Sequence, residues 1–310
     1  MVKVLVTGGA GFIGSHVVEE YQKEGHEIVV VDDLSMGSLT NIQDMSGVTF
    51  YQESIANFEF MEKLLVTEKF DVIYLLAAIA SVADTIARPY ESHQINQEAN
   101  LFILETIRAN NLEIKKLLFA SSAAVYGNLP ELPKMEVSPV APATAYAIDK
   151  YATERFVLSY AELYGIPATA VRFFNVFGPR QNPASPYSGV LSIIADTLRK
   201  NETFTLMGDG RQTRDFVFVK DVVRALRILE TTDGTDGQVY NVATGHSRQL
   251  LEAIETFEKV SGKKLRRLDA PRRTGDIQES VASIDKLEKL NFSPAYSFES
   301  GVRLYWESLE

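Results

Sequence analysis

The first 31 residues combine two apolar, β-branched runs with a glycine-rich turn and a helical pattern between them. Val2–Thr7 and Glu27–Val31 have the continuous apolar character of strands that are buried on both faces, as in a parallel sheet. Phe12–Glu24 predicts a helix, and Gly25 suits the left-handed conformation that ends it. The chain therefore opens with a β-α-β unit, which restricts the possible folds severely.

The same alternation of strand and helix patterns continues through the first half of the chain. It predicts, in order, a strand at Phe70–Leu76, a helix near Gln97–Ala109, a strand at Lys116–Ala120, a helix near Ala145–Tyr164 and a strand at Ala168–Phe173. Alternating elements of this kind are typical of a doubly wound parallel sheet with helices on both faces. We therefore predict an α/β fold of this class.

The pattern changes after Asn175, where Gly178-Pro179 and the stretch 183–189 interrupt the alternation. We expect one domain at 1–175 and a smaller, loop-rich α+β lobe at 176–310. Gln238–Ala243 is an exception within that lobe, because it has the pattern of a buried strand that could rejoin the first sheet.

The composition excludes several classes of protein. The 310 residues contain 31 Lys+Arg and 41 Asp+Glu, a net charge of −10, which argues against nucleic acid as a partner. The absence of cysteine excludes disulfides, thiolate metal sites and a cysteine nucleophile, and we expect no metal. The clearest apolar run, Val72–Ala80, is far shorter than the ~20 residues of a membrane span. With no visible signal peptide, we expect a cytoplasmic protein with no membrane partner.

Three glycines, Gly8, Gly11 and Gly14, follow the first strand in a GxxGxxG pattern. Glycine allows a tight turn, a close approach of a pyrophosphate to the backbone, and close packing of the helix on the strand. The helix N-terminus also attracts the anion. A glycine trio could serve a turn alone, but Asp32 ends the second strand where a carboxylate that binds adenosine ribose is expected. Together these features predict a Rossmann-type dinucleotide site.

Asp32 also bears on the choice of dinucleotide. A carboxylate accepts hydrogen bonds from ribose hydroxyls but repels a 2′-phosphate, and residues 33–40 contain no Arg or Lys to offset that repulsion. We therefore predict NAD rather than NADP as the cofactor.

A second cluster of candidate residues surrounds Tyr146 and Lys150. Their spacing of four places them on one face of the predicted helix, where an ammonium and an oxidised nicotinamide would favour the phenolate of the tyrosine. Ser122 follows the strand Lys116–Ala120, whose carboxyl end is where ligands bind in open α/β sheets. By itself, Tyr-x-x-x-Lys occurs by chance on many helices, and a loop serine commonly bonds only to backbone.

Six motifs span nearly the whole chain in order: Thr7-Gly-Gly-Ala-Gly-Phe-Ile-Gly14, Ser121-Ser-Ala-Ala-Val-Tyr-Gly127, Tyr146-x-x-x-Lys150, Arg172-Phe-Phe-Asn-Val-Phe-Gly-Pro-Arg180, Arg214-Asp-Phe-Val-Phe-Val-Lys-Asp221 and Pro271-Arg-Arg-Thr-Gly-Asp276. Their combination resembles the extended short-chain dehydrogenase/reductase family, and within it the nucleotide-sugar epimerases of UDP-glucose 4-epimerase type. The resemblance implies that 1–175 binds the dinucleotide and that 176–310 binds the nucleotide sugar.

The resemblance also implies roles for individual residues. The catalytic triad would be Ser122, Tyr146 and Lys150. Cofactor contacts would come from Gly8, Gly11, Phe12, Ile13, Gly14, Asp32, Asn96, Tyr146, Lys150 and Phe174, and substrate contacts from Ser122, Asn175, Arg214, Arg273 and Asp276. Guanidinium groups suit the oxygens of a diphosphate, which supports the two arginines in an acidic chain.

In the similar epimerases, the tyrosine takes the proton of the sugar 4-hydroxyl while C4 passes hydride to NAD, and the 4-keto sugar then rotates and takes the hydride back. Sister dehydratases and decarboxylases carry an acid directly after the serine, where this chain has Ala123 and Ala124. The resemblance therefore implies 4-epimerisation of UDP-glucose and UDP-galactose. In the similar UDP-hexose epimerases, the residue four positions after this aspartate borders the sugar pocket, and a small one admits N-acetyl groups. Here that residue is Ser280, so the resemblance also implies that N-acetylated UDP-hexosamines are accepted.

Two alternatives stay open at the level of sequence: another nucleotide-sugar oxidoreductase or ketone reductase, and a non-catalytic protein that binds NAD or a nucleotide sugar. Four residues, Ser54, Leu75, Ile79 and Ala99, depart from those usual in the family beside the cofactor. Relatives commonly pair through helices near Gln97–Ala109 and Lys150–Tyr164, so the resemblance also implies a homodimer.

Overall fold

A computed structural model describes residues 1–182, 189–272 and 277–309 of the chain. The chain forms two compact units. The first comprises Met1–Val125, Pro142–Arg172 and Val223–Tyr240, and the second comprises Tyr126–Ala141, Phe173–Val222 and Asn241–Glu310. The first unit is thus assembled from three separate stretches of sequence, with its last stretch some fifty residues after the second.

Strands and helices are numbered in chain order. The strands are β1 (Lys3–Thr7), β2 (Glu27–Val31), β3 (Val48–Tyr51), β4 (Val72–Leu75), β5 (Lys116–Ser122), β6 (Ala168–Phe173), β7 (Asn175–Phe177), β8 (Thr203–Met207), β9 (Thr213–Phe218), β10 (Gln238–Val242), β11 (Ser247–Gln249) and β12 (Arg266–Ala270). The helices are α1 (Phe12–Lys23), α2 (Phe58–Glu68), α3 (Val82–Ala87), α4 (Pro89–His93), α5 (Ala99–Ala109), α6 (Ala145–Tyr164), α7 (Val190–Lys200), α8 (Val219–Thr231), α9 (Leu250–Ser261), α10 (Asp285–Glu288) and α11 (Phe298–Glu307).

Within the described residues, seven strands form one sheet in the order β10-β6-β5-β4-β1-β2-β3. The pairs β1–β2, β1–β4, β2–β3 and β4–β5 are all parallel. The order reverses beside β1, which creates the crevice at the carboxyl ends of β1 and β4 where ligands of doubly wound folds bind. The predicted α/β doubly wound sheet is confirmed, and β10 does rejoin it.

The strands form a sheet because their residues are apolar on both faces. Val4, Leu5 and Val6 of β1 are fully buried, as are Ile28 and Val30 of β2. On the face that carries Leu5, the helices contribute apolar stripes: Met61, Leu64 and Leu65 on α2 and Ile103, Leu104 and Ile107 on α5. This cluster is the core that holds the carboxyl ends of the strands in place.

Helix ends follow the capping residues of the sequence. Thr144 caps α6, since its side chain accepts a hydrogen bond from the Ala147 N–H, and Gly165 ends the helix with a φ of 70°. The helix predicted from Gln97 is different: α5 begins at Ala99, after a π-helical turn at Gln94–Glu98. Asn100 Nδ2 donates to the carbonyls of Ile95 and Asn96, at 3.2 and 3.0 Å, and so satisfies acceptors in the wide turn.

The second unit contains two small sheets, one with strand order β11-β9-β7 and one in which β12 pairs with β8. Its described core includes a cluster of aromatic rings in which Phe177 lies 5.6 Å from Phe218 and 5.4 Å from Phe298. A Cβ on Gly301 would lie 2.9 Å from the Phe177 ring, so α11 packs against these rings through a glycine. Among the described residues, no helix is both long enough and apolar enough to cross a membrane.

Candidate active site

The turn between β1 and α1 is shaped by glycine. Gly8 has a φ of +71°, and a Cβ there would lie 2.8 Å from the Ala77 backbone nitrogen. A Cβ on Gly14 would lie 2.1 Å from the Gly8 carbonyl oxygen, so the helix can begin this close to the turn only without a side chain. The Gly11 N–H donates to the same carbonyl at 3.1 Å. The predicted turn therefore requires glycine at both positions, because a side chain at either one would clash with neighbouring backbone.

The first turn of α1 offers backbone donors. Gly11 is the N-cap residue, and no described side chain caps the helix at that point. Phe12 and Ile13 are the first two residues of the helix, where N–H groups lack partners within the helix. A helix start of this type, behind a glycine turn, is suited to bind a phosphate group.

Asp32 lies at the carboxyl end of β2 and faces the same turn. Its Oδ2 accepts from the Ala10 N–H at 3.0 Å and its Oδ1 from the Leu34 N–H at 2.9 Å. Burial raises the pKa of this carboxyl group, while the backbone hydrogen bonds to Leu34 and Ala10 act in the opposite direction. Because each carboxylate oxygen has more than one acceptor position, ribose hydroxyls could still bind.

The loop after β4 is held by two side chains of the first unit. Thr7 Oγ1 accepts from the N–H groups of Leu76 and Ala77, at 3.1 and 3.3 Å. Asn96 Oδ1 accepts from the Ile79 N–H at 2.8 Å, and its Nδ2 donates to the Ile79 carbonyl at 3.1 Å. Asn96, predicted beside the nicotinamide, thus uses both ends of its amide to position this loop. Sequence reasoning missed the role of Thr7, although a threonine at the end of the first strand was visible.

Ser122, Tyr146 and Lys150 are all in the first unit. Ser122 ends β5, where its Oγ accepts from the Ala124 N–H at 3.1 Å and its side chain also hydrogen-bonds to Tyr146. Lys150 Nζ lies 5.9 Å from the Tyr146 ring centroid and 5.1 Å from that of Phe119. The structure therefore brings the three residues together, with Lys150 one helical turn after Tyr146 on the same face of α6.

Burial sets the protonation behaviour of this cluster. It raises the pKa of Tyr146, and the hydrogen bond from Ser122 lowers that pKa. Burial also lowers the pKa of Lys150 to about 8, against the attraction of Asp149. Lys150 is 2% exposed, and a buried ammonium of this kind requires a polar or charged group beside it. Additional positive charge near Tyr146 would favour its phenolate.

A buried ion pair connects α6, which carries Tyr146 and Lys150, to the neighbouring strands. Glu154 accepts hydrogen bonds from Arg172 Nε at 2.9 Å and from its Nη2 at 2.6 Å, and Ser121 Oγ donates to Glu154 at 2.6 Å. The three residues join α6, β6 and β5. Sequence reasoning missed them as a group, but the i+4 spacing of Tyr146, Lys150 and Glu154 was a visible signal.

Three further predicted residues, Phe174, Asn175 and Arg214, belong to the second unit. Phe174 is buried, with its ring centroid 6.2 Å from that of Tyr126. Asn175 Nδ2 donates to the Asp215 carbonyl at 3.0 Å, and Arg214 Nη1 donates to the Thr213 carbonyl at 2.8 Å. Asn175 and Arg214 lie on the neighbouring strands β7 and β9 of one sheet. The predicted residues Arg273 and Asp276 lie outside the described part of the chain.

The described residues fit NAD. The first unit offers a glycine turn so close to α1 that it has no room for a Cβ at Gly14, a helix start without a side-chain cap, the Asp32 carboxylate, and the Lys150 ammonium near a phenol. Bound there, NAD would supply chemistry as a hydride acceptor and donor. Among the described residues, no cluster of three or more His, Asp or Glu side chains could hold a metal.

Comparisons with known proteins agree with this geometry. The sequence model of the NAD-dependent epimerase/dehydratase family matches residues 4–243. UDP-glucose 4-epimerase from Thermotoga maritima, solved with UDP-glucose, is 34% identical with a TM-score of 0.93, covering 99% of this chain and 98% of its own. A UDP-N-acetylglucosamine 4-epimerase from Methanobrevibacter ruminantium, in complex with UDP-N-acetylmuramic acid, is 35% identical with a TM-score of 0.92 and the same coverage.

A third similar structure, UDP-glucose 4-epimerase from Thermus thermophilus, was solved with NAD; it is 34% identical, with a TM-score of 0.90, and covers 99% of this chain and 98% of its own. These comparisons confirm the predictions of a Rossmann fold, of an NAD-dependent isomerase and of NAD as cofactor. The resemblance to nucleotide-sugar epimerases thus extends over nearly the whole chain, which belongs to the NAD-dependent epimerase/dehydratase family.

Proposed function

We propose that this protein is a 4-epimerase that interconverts UDP-glucose and UDP-galactose and keeps its NAD bound through turnover. The observation that carries the proposal is the grouping of Ser122, Tyr146 and Lys150 in the unit that also contains the glycine turn and Asp32. A protein that only binds a nucleotide has no need of a buried phenol beside a buried ammonium. The similarity to the Thermotoga maritima UDP-glucose 4-epimerase supports the same function.

In this proposal the Tyr146 phenolate oxygen accepts the proton of the sugar 4-hydroxyl. Ser122, which hydrogen-bonds to Tyr146, holds that hydroxyl in line. The Lys150 ammonium favours the phenolate, which burial alone would disfavour. The sugar then presents its other face, and Tyr146 returns the proton to the same oxygen, so the reaction changes stereochemistry with no net oxidation.

The residues after Ser122 support epimerisation over elimination. Ala123 and Ala124 form a short helical turn that continues β5, and neither has a group that can transfer a proton. An elimination of water from the sugar needs an acid and a base besides the tyrosine. Restoration of the sugar hydroxyl, rather than its loss, is therefore the outcome that these residues favour.

We propose that the first unit binds the dinucleotide and that Asn175 and Arg214 of the second unit bind the UDP moiety, with Arg273 and Asp276. Arg214 carries the cation that a diphosphate requires, on a strand next to that of Asn175. We further propose that the small Ser280 admits N-acetylated sugars. The Methanobrevibacter ruminantium relative, a UDP-N-acetylglucosamine 4-epimerase, supports this extension.

A homodimer through α5 and α6 also belongs to the proposal. On α6, the side chains of Phe156, Leu163 and Tyr164 are 38%, 66% and 51% exposed, which is a large apolar area for a surface helix. Two copies that pair these helices would cover it. Sedimentation of the purified protein over a range of concentrations tests this point.

The function is tested by incubating the purified protein with UDP-galactose and with UDP-N-acetylgalactosamine separately, and resolving the products by chromatography. We expect UDP-glucose and UDP-N-acetylglucosamine to form without consumption of added NADH. Stoichiometric oxidation of NADH would instead indicate a ketone reductase. Binding of NAD and UDP-sugar with no product from either sugar would indicate a non-catalytic binding protein and would refute the proposal.

A further inference from the structure

Asp215 follows Arg214 on β9 and is fully buried. Its carboxylate accepts hydrogen bonds from two separate segments of the second unit. Oδ1 accepts from the N–H and from the hydroxyl of Thr244, at 2.8 and 2.6 Å. Oδ2 accepts from the N–H of Gly245 at 3.0 Å and from the N–H of Ala282 at 3.3 Å. Because a buried N–H that loses its acceptor is costly, the carboxylate fixes the backbone that donates to it.

The Ala282 N–H ends a short segment, residues 278–282, that is bonded to β9 at both ends. At the start of the segment, the Thr213 N–H donates to the first carbonyl at 2.8 Å. At its end is the hydrogen bond to Asp215. Ser280 is half-buried and lies midway between the two attachments. Thr213 and Asp215 flank the arginine proposed to bind the diphosphate, so this arginine and Ser280 depend on the same stretch of β9.

On its other side the segment is bonded to Lys134. The Lys134 N–H donates to the Val281 carbonyl at 2.8 Å, and the Ser283 N–H donates to the Lys134 carbonyl at 2.8 Å. The backbone groups on either side of Ala282 therefore face Lys134, while the Ala282 N–H faces Asp215. Ala282 is only 2% exposed, so without the carboxylate this N–H would lose its acceptor inside the protein.

Asp215 also contacts the proposed substrate site through its main chain. Its carbonyl accepts from Asn175 Nδ2 at 3.0 Å. One residue thus holds Asn175 by its backbone and the 278–282 segment by its side chain. A substitution at position 215 keeps the carbonyl, so it acts on the segment without removing the acceptor of Asn175.

We propose that Asp215 is a positioning residue that holds the 278–282 segment against β9, and thereby sets the space beside Ser280 for the substituent of the sugar. This inference deepens the proposed function and rests on it, because that function places Ser280 beside the sugar. A segment that is already held does not have to be ordered when the sugar binds. The N-acetyl group reaches Ser280 and a hydroxyl does not, so loss of the carboxylate should weaken binding of the N-acetylated sugar more.

The test compares Asp215→Leu and Asp215→Asn, since leucine has nearly the shape of aspartate without an acceptor and asparagine keeps one acceptor. We expect Asp215→Leu to raise the KM for UDP-N-acetylgalactosamine about tenfold more than the KM for UDP-galactose, with little difference in kcat between the sugars. Asp215→Asn should give a smaller change in the same direction. If Asp215→Leu raised both KM values by the same factor, the carboxylate would only maintain the fold and the inference would be wrong.

Asp221→Leu is the matched control. Asp221 is equally buried in the same unit, and its carboxylate accepts from the N–H groups of Ala295 and Tyr296, at 2.8 and 3.1 Å. Its loss should destabilise the protein but change the KM values of both sugars by one factor. A preference between the sugars that changed as much in Asp221→Leu as in Asp215→Leu would also overturn the inference.

Amide hydrogen exchange, followed by mass spectrometry with NAD present, tests the inference without turnover. In the unaltered protein, we expect UDP-N-acetylgalactosamine to slow exchange within 278–282 by more than about tenfold beyond the effect of UDP alone. Exchange there should be faster in Asp215→Leu and unchanged in Asp221→Leu. No added protection by the sugar, or unchanged exchange in Asp215→Leu, overturns the inference. Protection by the sugar in a protein that forms no epimer contradicts only the proposed function.

Discussion

The carboxylate of Glu154 and the guanidinium of Arg172 form an ion pair inside the first unit, with side chains that are only 1% and 4% exposed. Glu154 follows Lys150 by one turn of α6, as Lys150 follows Tyr146. The pair therefore fixes the helix face that presents the phenol and the ammonium, and it joins this face to β6.

We expect Glu154→Ala to lower the free energy of unfolding by about 3–5 kcal/mol, because it removes the carboxylate that two nitrogens of the buried Arg172 guanidinium donate to. Urea denaturation measures this loss. Glu91→Ala is the matched control, since Glu91 and Arg88 pair at 2.7 Å with both side chains about half exposed. There we expect a loss of less than about 1 kcal/mol. Equal losses at the two sites would contradict this account of the buried pair.

Tyr146→Phe removes the hydroxyl that accepts the sugar proton in the proposed reaction. We expect kcat to fall by roughly 10²–10⁴-fold, the range of general acid–base contributions, with the melting temperature little changed. Tyr151→Phe, which alters a tyrosine one residue beyond Lys150 on the same helix, should keep its activity. Epimerisation by Tyr146→Phe at the original rate would show that another group transfers the proton.

Lys150 should destabilise the protein at neutral pH. Its pKa is lowered by burial to about 8, below the value of 10.5 that an exposed lysine has. Between these two pH values, Lys150 binds more protons in the unfolded chain than in the folded protein, so the free energy of unfolding rises with pH. Below about pH 8 the lysine is protonated in both states, and its full destabilising effect is present. We expect Lys150→Met to be more stable than the original at pH 7, by up to about 3 kcal/mol.

This stability difference should shrink as the pH rises from 8 towards 10. Thermal unfolding of both proteins across that range, without added cofactor, measures it. A Lys150→Met variant that is less stable at pH 7 would show that the ammonium makes contacts which outweigh its burial. The expected gain in stability is accompanied by a loss of activity, as is common when a buried functional charge is removed.

Asp32→Asn tests the choice of cofactor. Hydrogen bonds to a charged group contribute about 1.5–3 kcal/mol, so we expect affinity for NAD to fall by roughly 10–100-fold. Affinity for NADP should fall less, because the repulsion of the 2′-phosphate is also removed. Calorimetric titration with each dinucleotide gives the ratio of the affinity for NAD to the affinity for NADP. Asp33→Asn, which alters an exposed carboxylate that accepts from the Ser35 N–H, should leave that ratio unchanged.

Ser280→Tyr tests the proposed acceptance of N-acetylated sugars. A large ring at this position should exclude the acetamido group, and we expect turnover of UDP-N-acetylgalactosamine to fall by more than about tenfold. UDP-galactose, which lacks that group, serves as the internal control and should keep its turnover. If the two sugars lost turnover by the same factor, position 280 would not distinguish between them.

The fold was largely predictable because its signals are local. The bounds of α6 follow from Thr144 and Gly165, and the parallel sheet follows from short apolar runs such as Glu27–Val31. The helix predicted near Gln97–Ala109 corresponds to α5, but the helical periodicity of the apolar residues does not reveal the π-helical turn before Ala99. The wide turn depends on the amide of Asn100, and a side-chain contact of that kind has no distinct sequence signature.

In the candidate site, too, local spacing could be predicted from the sequence and contacts between distant residues could not. Tyr146 and Lys150 were found because four residues separate them on one helix. Asp215 and Ala282 are 67 positions apart, and a buried carboxylate looks like a surface residue in the sequence. Likewise Asn96 could be predicted to lie beside the cofactor, but not to use its whole amide on the backbone of Ile79. Pairings between distant segments are set by the fold and require the structure.

The late return of β10 to the sheet bears on how the protein is made. All six residues of β6 are buried, and β10 is the strand that covers its outer edge. During synthesis, the ribosome must release the chain as far as Tyr240 before that edge can be closed. A nascent chain or a truncated product that stops near residue 175 would leave an apolar strand edge open to pairing with other molecules, and would be prone to aggregate.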